Sequence, residues 1–248
     1  MKIMKELQLK ANGENKLIYF GVPNNDSEIL EMHKLRYEIY SKKDYIDKEK
    51  FKDGVEKDEY DLDKKSHYFI AKIDDRIIGS VRLIRDHYLP TEKDFKFEEP
   101  EEMKNISREQ RGEVGRLVIT PYSKETYLPR NIILLFLIDC LLKFSVENNI
   151  EGGYSFVKSS LLDKLNKLKM PIHMIKSYLQ VYPRDGILYK YFNQENDKVI
   201  PIYIFIDEVK KYLDSLINNR KMFEKISEKR FVLKENLYNG FLKFLKII

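Results

Sequence analysis

The stretch Gly112-Glu113-Val114-Gly115-Arg116-Leu117-Val118-Ile119-Thr120, stopped by Pro121, decides the fold. Its β-branched and aliphatic residues read as a buried strand, yet a carboxylate and a guanidinium sit inside it. Side chains alternate faces along a regular strand, so residues three apart point in opposite directions. Glu113 and Arg116 are three apart. A charge at the heart of a sheet is costly unless it meets a partner. One inserted residue, a β-bulge, would bring both to one side. Gly115 lies between them and is the residue type that tolerates the dihedrals of a bulge. The sequence therefore predicts a broken ladder here and a neighbouring strand splayed away from it.

Upstream, Tyr68–Ile73 and Arg76–Ile84 are β-rich runs around Asp74-Asp75, a hairpin, and Arg82 falls inside the second run. Ser41 to Lys65 is charged and aromatic without a clear period and reads as irregular; it carries Glu56-x-Asp58-x-x-Asp61. Before it, Asn25-x-x-Glu28 reads as a capping box opening a helix with an apolar stripe of Ile29, Met32, Ile39 and Tyr40. Arg36 interrupts that stripe. Three arginines and several acids, all where burial is expected, point to one shared network.

Downstream, Pro129-Arg130-Asn131 starts a mostly buried helix to about Asn148. Gly152–Val157 is the next strand, Leu161–Leu168 a short amphipathic helix, and Ile172–Val181 and Val199–Ile206 are further β-like runs. Pro90 to Glu109 is acidic and reads as a surface excursion. The order is that of an α+β plan with helices packed on a central mixed, twisted sheet. Residues 1–206 form the domain, and 207–248 read as a basic amphipathic helical extension.

The bulk numbers exclude several classes. The 248 residues carry a net charge of 45 − 40 = +5, too weak for nucleic-acid binding but suited to an acidic protein partner or an anionic surface. With 43 % hydrophobic and 34 % charged residues the chain reads as a soluble protein. The single Cys140, mid-helix among leucines, is a core residue, and a reducing cytoplasm is expected. Four histidines without an H-x-x-x-H pair make a metal site improbable. Ile132 to Leu142, interrupted by Asp139, is too short to span a bilayer. Met1 to Lys10 lacks the apolar stretch of a signal peptide. The tail Asn236–Ile248, apolar with two lysines, could touch a membrane periphery, a second subunit or its own domain.

Leu35-Arg36-Tyr37-Glu38-Ile39-Tyr40, the acidic cluster, Val81-Arg82-Leu83 and Glu113-Val114-Gly115-Arg116, in that order and spacing, resemble the signature of acyl-homoserine-lactone synthases and the long-chain N-acyl amino acid synthases. The likeness runs from about Glu31 to Phe205. It implies the GNAT fold with splayed central strands, and an acyl thioester donor, acyl carrier protein or coenzyme A, with no other cofactor. It also implies that Arg36, Asp58, Asp61, Arg82, Glu113 and Arg116 line or brace the amine side, with Glu113 as general base through water; Tyr40, on the same helix as Arg36, is assigned to the substrate side with them.

Two departures refine the expectation. The chain has no Trp, and Ile46 stands where the lactone synthases typically carry one. After Thr120, the run Pro121-Tyr122-Ser123-Lys124-Glu125-Thr126-Tyr127-Leu128-Pro129-Arg130 has no glycine to let backbone amides cradle a diphosphate. Acyl carrier protein is thus favoured over coenzyme A. Leu117, Val118 and Ile119, with their backbone amides, and Arg130, Phe156 and Lys158 are assigned to the donor side. The acyl tail is expected between this strand and Gly152–Val157, with Tyr154, Phe156 and Phe136 as walls. Lys158, Lys164, Lys167, Lys169 and Lys176 form either a solvated face or a dock for an acidic carrier. The expected reaction is transfer of a long acyl chain to an amino acid. A homoserine-lactone synthase and a non-catalytic acyl-carrier- or lipid-binding domain are the alternatives.

Overall fold

A computed structural model describes residues 1–11, 14–120 and 130–234. The chain begins with two strands, β1 (Lys2–Ala11) and β2 (Glu14–Val22), then α1 (Asp26–Lys42) and the short α2 (Glu59–Leu62). The hairpin β3 (Ser66–Ile73) and β4 (Arg76–Ile84) follows, then α3 (Pro90–Asp94), β5 (Phe95–Phe97), α4 (Glu101–Lys104) and β6 (Arg111–Ile119). The second half runs α5 (Arg130–Glu147), β7 (Gly152–Lys158), α6 (Ser159–Lys167), β8 (His173–Met174), β9 (Tyr178–Gln180) and α7 (Tyr189–Phe192). It ends, within the described residues, with β10 (Val199–Phe205), α8 (Ile206–Ile217), β11 (Phe223–Lys225) and β12 (Arg230–Leu233).

Among the described residues ten strands form one mixed sheet in the order β11-β12-β1-β2-β3-β4-β6-β7-β10-β8. α1 packs on one face, over β4 and β6, while α5 and α8 cover the other. α5 supplies most of the larger core through Ile132, Ile133, Phe136, Leu137, Cys140 and Leu141. Burial drives the Cys140 thiol well above its usual range, in keeping with a core role.

The β3–β4 turn is tight: Asp74 and Asp75 both adopt positive φ, 46° and 63°, as a two-residue hairpin turn of the I′ kind requires. β6 runs antiparallel to β4 and parallel to β7, but its pairing with β7 stops at Glu113↔Tyr154. Beyond that point β6 follows β4 and β7 follows β10, so the two central strands diverge in a V. The narrow end of the V is closed by glycines, because a Cβ on Gly153 would lie 1.6 Å from the Gly112 carbonyl oxygen.

Two regions differ from the sequence reading, and a third was given no element in it. Pro90–Glu109 is no surface excursion: Leu89, Thr91, Phe95, Met103 and Ile106 are buried, and β5 pairs with β9 in a separate two-stranded sheet. The acids average away an apolar pattern that packs the segment against Tyr154 and Tyr60. Helix ends at Ile217 in the C-terminal stretch, and the β11–β12 hairpin adds to β1, burying Phe223 and Phe231 against Phe136. The N-terminal ten residues, charged as they are, form β1 with Leu7 and Leu9 inward. The tail Asn236–Ile248 and the loop Pro121–Pro129 lie outside the described residues.

Candidate active site

The site is built on the α1 face of the sheet. Asn25 caps α1 by accepting from the Glu28 backbone N–H at 2.9 Å, and Glu28 reaches back to the Asn24 N–H, one residue short of a reciprocal box. The helix directs Arg36, 1 % exposed, toward the sheet. Opposite it, Asp58 and Asp61 form a reciprocal capping box at the start of α2, which fixes both carboxylates. β4 contributes Arg82, with Tyr68 beside it on β3 as its cross-strand partner.

β6 contributes Glu113 and Arg116. Glu113 pairs with Ile84 and Gly115 with Arg82, but on resuming at Val118 the register faces Ser80. Arg116 and Leu117 together oppose Val81, which is a bulge. The positive φ falls on Arg116 itself, at 54°, and not on Gly115. The extra residue returns Arg116 to the face that carries Glu113 and Arg82. Val114, Leu117 and Ile119 are sent to the α5 side.

The predicted network is present. Arg36 donates to Glu56 at 2.5 Å through Nε and to Asp61 at 2.9 Å through Nη2. Arg82 grips Asp58 with two parallel bonds of 2.7 and 2.8 Å and reaches Asp61 at 2.8 Å. Arg116 donates to Glu56 at 3.1 Å and to Asp58 at 2.7 Å. The Tyr68 hydroxyl closes the set on Asp61 at 2.7 Å. Three guanidinium groups thus meet three carboxylates in near-complete burial. Asp58 and Asp61 are held below the ordinary carboxylate range: burial works against this, and the arginines overcome it. All three arginine forks are engaged by protein carboxylates, so these residues brace the site. Tyr40, buried beside them, is pushed up to about 12 by burial.

Glu113 stands outside that network. It is 2 % exposed, and its carboxylate accepts from the Thr91 backbone N–H at 2.8 Å. Burial raises it to about 8; Asp94 adds to the rise, and the Thr91 bond and Arg82 oppose it. Asp94, at the end of α3, is itself raised to about 7, chiefly by burial and then by Glu59. Sequence reasoning missed Thr91 and Asp94, which are brought to β6 by a segment read as surface. Glu56 lay within the acidic cluster but was not assigned a site role.

The donor-side assignments separate. Val118 is buried beside Ile39, Tyr40 and Phe156 on the site face, whereas Leu117 and Ile119 pack toward α5. Phe156, on β7, contacts Phe95, Tyr191 and Phe192 on the diverging side of the V. Tyr154 sits at the apex of the V, opposite Glu113 and fully buried against Phe97, whereas Phe136 of α5 stacks on Phe20 of β2 in the core on the α5 side. Lys158 is no surface cation: it donates to the Asp197 carbonyl at 2.7 Å and to the Tyr191 carbonyl, under the Tyr191 ring. Burial lowers it to about 8. Lys164, Lys167, Lys169 and Lys176 remain exposed. The Arg130 side chain lies outside the description.

Residues 31–150 match the family of the N-acyl amino acid synthase FeeM. No curated protein matches the whole sequence significantly. Among solved structures, the acyl-homoserine-lactone synthase LasI superposes with a TM-score of 0.55 at 17 % identity, over 80 % of this chain and 94 % of that one. BjaI, a CoA-dependent acyl-homoserine-lactone synthase seen with MTA, gives 0.53 at 14 % identity over 86 % and 88 %. FeeM itself, from uncultured soil microbes, gives 0.52 at 12 % identity over 79 % and 94 %. The shared fold is the GNAT fold.

Proposed function

We propose that this N-acyltransferase, whose fold and sequence resemble those of the N-acyl amino acid synthases, joins a long fatty acyl chain from an acyl carrier protein thioester to the amine of an amino acid. The observation that carries this reading is Glu113, buried at the apex of the β6/β7 V and lacking a direct ionic partner among the described residues. A thioester is already activated, so the enzyme must position an amine, take its proton and steady an oxyanion. Raised by burial to about 8, Glu113 is a far better proton acceptor for an α-ammonium than an ordinary carboxylate would be. The freed nitrogen lone pair attacks the thioester carbon and the C–S bond breaks. The adduct nitrogen gives up its second proton to the departing pantetheine thiolate, and Glu113 releases the first to water.

β6 has no β7 partner past Glu113, so that edge is open to the donor's thioester carbonyl and pantetheine amides. Val118 and Phe156 supply apolar walls for the acyl chain. The glycine-free run Pro121–Pro129 supports the carrier protein over coenzyme A, and exposed Lys164, Lys167, Lys169 and Lys176 offer it a basic face. BjaI's use of coenzyme A makes this the part most in need of test. The lactone alternative is weakened by Ile46, buried where those synthases carry Trp.

Mass spectrometry of lipid extracts from an expressing host reads head group and tail together; an N-acyl amino acid is expected, and a lactone would overturn the assignment. Comparing kcat/KM for one acyl chain on both carriers decides the donor. Equal or better use of coenzyme A refutes the carrier-protein reading.

A further inference from the structure

On the far side of the network from Glu113 lies an open cleft of about 530 Å³, within the roughly 300–1,000 Å³ of small-ligand sites. It exists because β2 ends early. β2 pairs with β3 only from Tyr19↔Lys72 to Gly21↔Ile70, so β3 from Ser66 to Phe69 runs on without a partner on that side. The start of α1 and the end of α2 form the other walls.

The lining has two chemistries. Ile29, Leu62, Phe69 and Phe144 give an apolar trough, and Leu62 is 70 % exposed there. Lys57 and Lys64 stand at the cleft with no carboxylate partner among the described residues. Lys64 occupies the left-handed position after α2, φ 56°, which glycine usually fills. Of the two acids on the lining, Asp61 is neutralised by Arg36 and Arg82, while Asp26 lies in the first turn of α1, where the helix N-terminus favours an acid.

His33 is the second, independent sign of a ligand. Its ring is 1 % exposed, lines the cleft, and has an Nδ1 with no hydrogen-bond partner. Burial, helped by the Arg36 charge, lowers it to about 4, so it is neutral with one N–H to donate. A buried polar atom left unpaired costs about 1–3 kcal/mol. A hydrogen-bonding group entering the cleft would relieve that cost, and a carboxylate oxygen does so with the tautomer that carries its proton on Nδ1.

We propose that this cleft is a second binding site, for a single-chain carboxylate amphiphile, with the tail along Ile29, Leu62, Phe69 and Phe144 and the head group on Lys57 and Lys64. The cleft shares Asp61 with the network, but neither Glu113 nor any other residue of β6 or β7 lines it, so it is distinct from the acyl-transfer centre.

The chain's four histidines make the test direct, since His33 and His67 line the cleft while His87 and His173 do not. Dodecanoate, kept below its micelle concentration, is titrated into the whole chain while the imidazole resonances are followed by NMR. Saturable shifts of the His33 and His67 signals are expected, with His87 and His173 still. Lys57→Glu with Lys64→Glu should weaken binding at least tenfold with an unchanged melting temperature, and uncharged dodecanol should bind at least tenfold more weakly than dodecanoate. Unmoved His33 and His67 signals overturn the proposal, since a tail bound in the β6/β7 V would move neither. Equal binding of dodecanol, or a charge-reversed variant that binds as before, also overturns it.

Discussion

Replacing Arg36 by Met tests whether the network is a charge-balanced unit. Arg36, Arg82 and Arg116 face Glu56, Asp58 and Asp61, and the side chains of Arg36, Glu56 and Asp61 are 1 %, 0 % and 1 % exposed. Methionine fills similar volume but leaves one buried negative charge uncompensated, a change that costs about 3–5 kcal/mol. Asp61 keeps Arg82 and Tyr68, and Glu56 keeps Arg116 at 3.1 Å, which favours the lower end. For a chain of this length each kcal/mol moves the melting temperature by about 2–4 °C, so calorimetry should show a fall of roughly 6–20 °C. Adding Glu56→Gln restores two cations against two anions and should recover much of the loss. Arg36→Lys should recover less, because an ammonium cannot reproduce the fork onto Glu56 and Asp61. A fall of under about 2 °C for Arg36→Met would refute the argument, as would a double variant no better than the single one.

Further outcomes follow from the same geometry. Glu113→Gln should keep the fold and lower turnover by roughly 10²-fold or more. Because the folded carboxyl is raised to about 8 from its ordinary 4.5, Glu113 remains protonated in the folded state where the unfolded chain has released the proton. Wild-type stability relative to Glu113→Gln should therefore fall as pH rises from the unfolded value through about 8, while wild-type kcat/KM rises over the upper part of that window. Differential scanning calorimetry and rate profiles on both proteins check the two signs. Asp94→Asn removes a neighbour that raises Glu113 and should shift the rate profile to lower pH; an unmoved profile would show that Asp94 does not act on Glu113. A Cβ at Gly115 meets nothing within 4 Å, so Gly115→Ala should melt within a few degrees of wild type, whereas Gly153→Ala should abolish cooperative unfolding.

Legibility in the sequence followed the range of the interactions. Parity along one strand demanded a bulge between Glu113 and Arg116, and charges placed where burial is expected, together with the family resemblance, gathered Arg36, Asp58, Asp61 and Arg82. Which residue takes the left-handed conformation was not legible, because glycine's tolerance is an intrinsic preference and the bonds from Arg116 to Glu56 and Asp58 override it. Thr91 and Asp94 were hidden because their role depends on where α3 docks. The β11–β12 hairpin was hidden because its value lies in pairing with β1, more than two hundred residues earlier. β1 itself carries a period-two signal in Leu7 and Leu9, obscured by the charges on its other face.

The bulge ties these observations into one electrostatic design. A regular β6 would turn Arg116 toward α5 and leave Glu56 and Asp58 short of a cation. With the bulge, Arg116 reaches both, the cluster balances, and of its arginines only Arg82 acts on Glu113, too weakly to offset burial. Acids on the same face of one sheet are thereby driven apart: Asp58 and Asp61 are held ionised, while Glu113 and Asp94 rise into the neutral range. Separation of that kind is how one site keeps some carboxylates as fixed charges and leaves another free to exchange a proton. The same residue that completes the scaffold therefore sets the base, because Arg116 drawn onto Glu113 would lower it and make it a weaker proton acceptor.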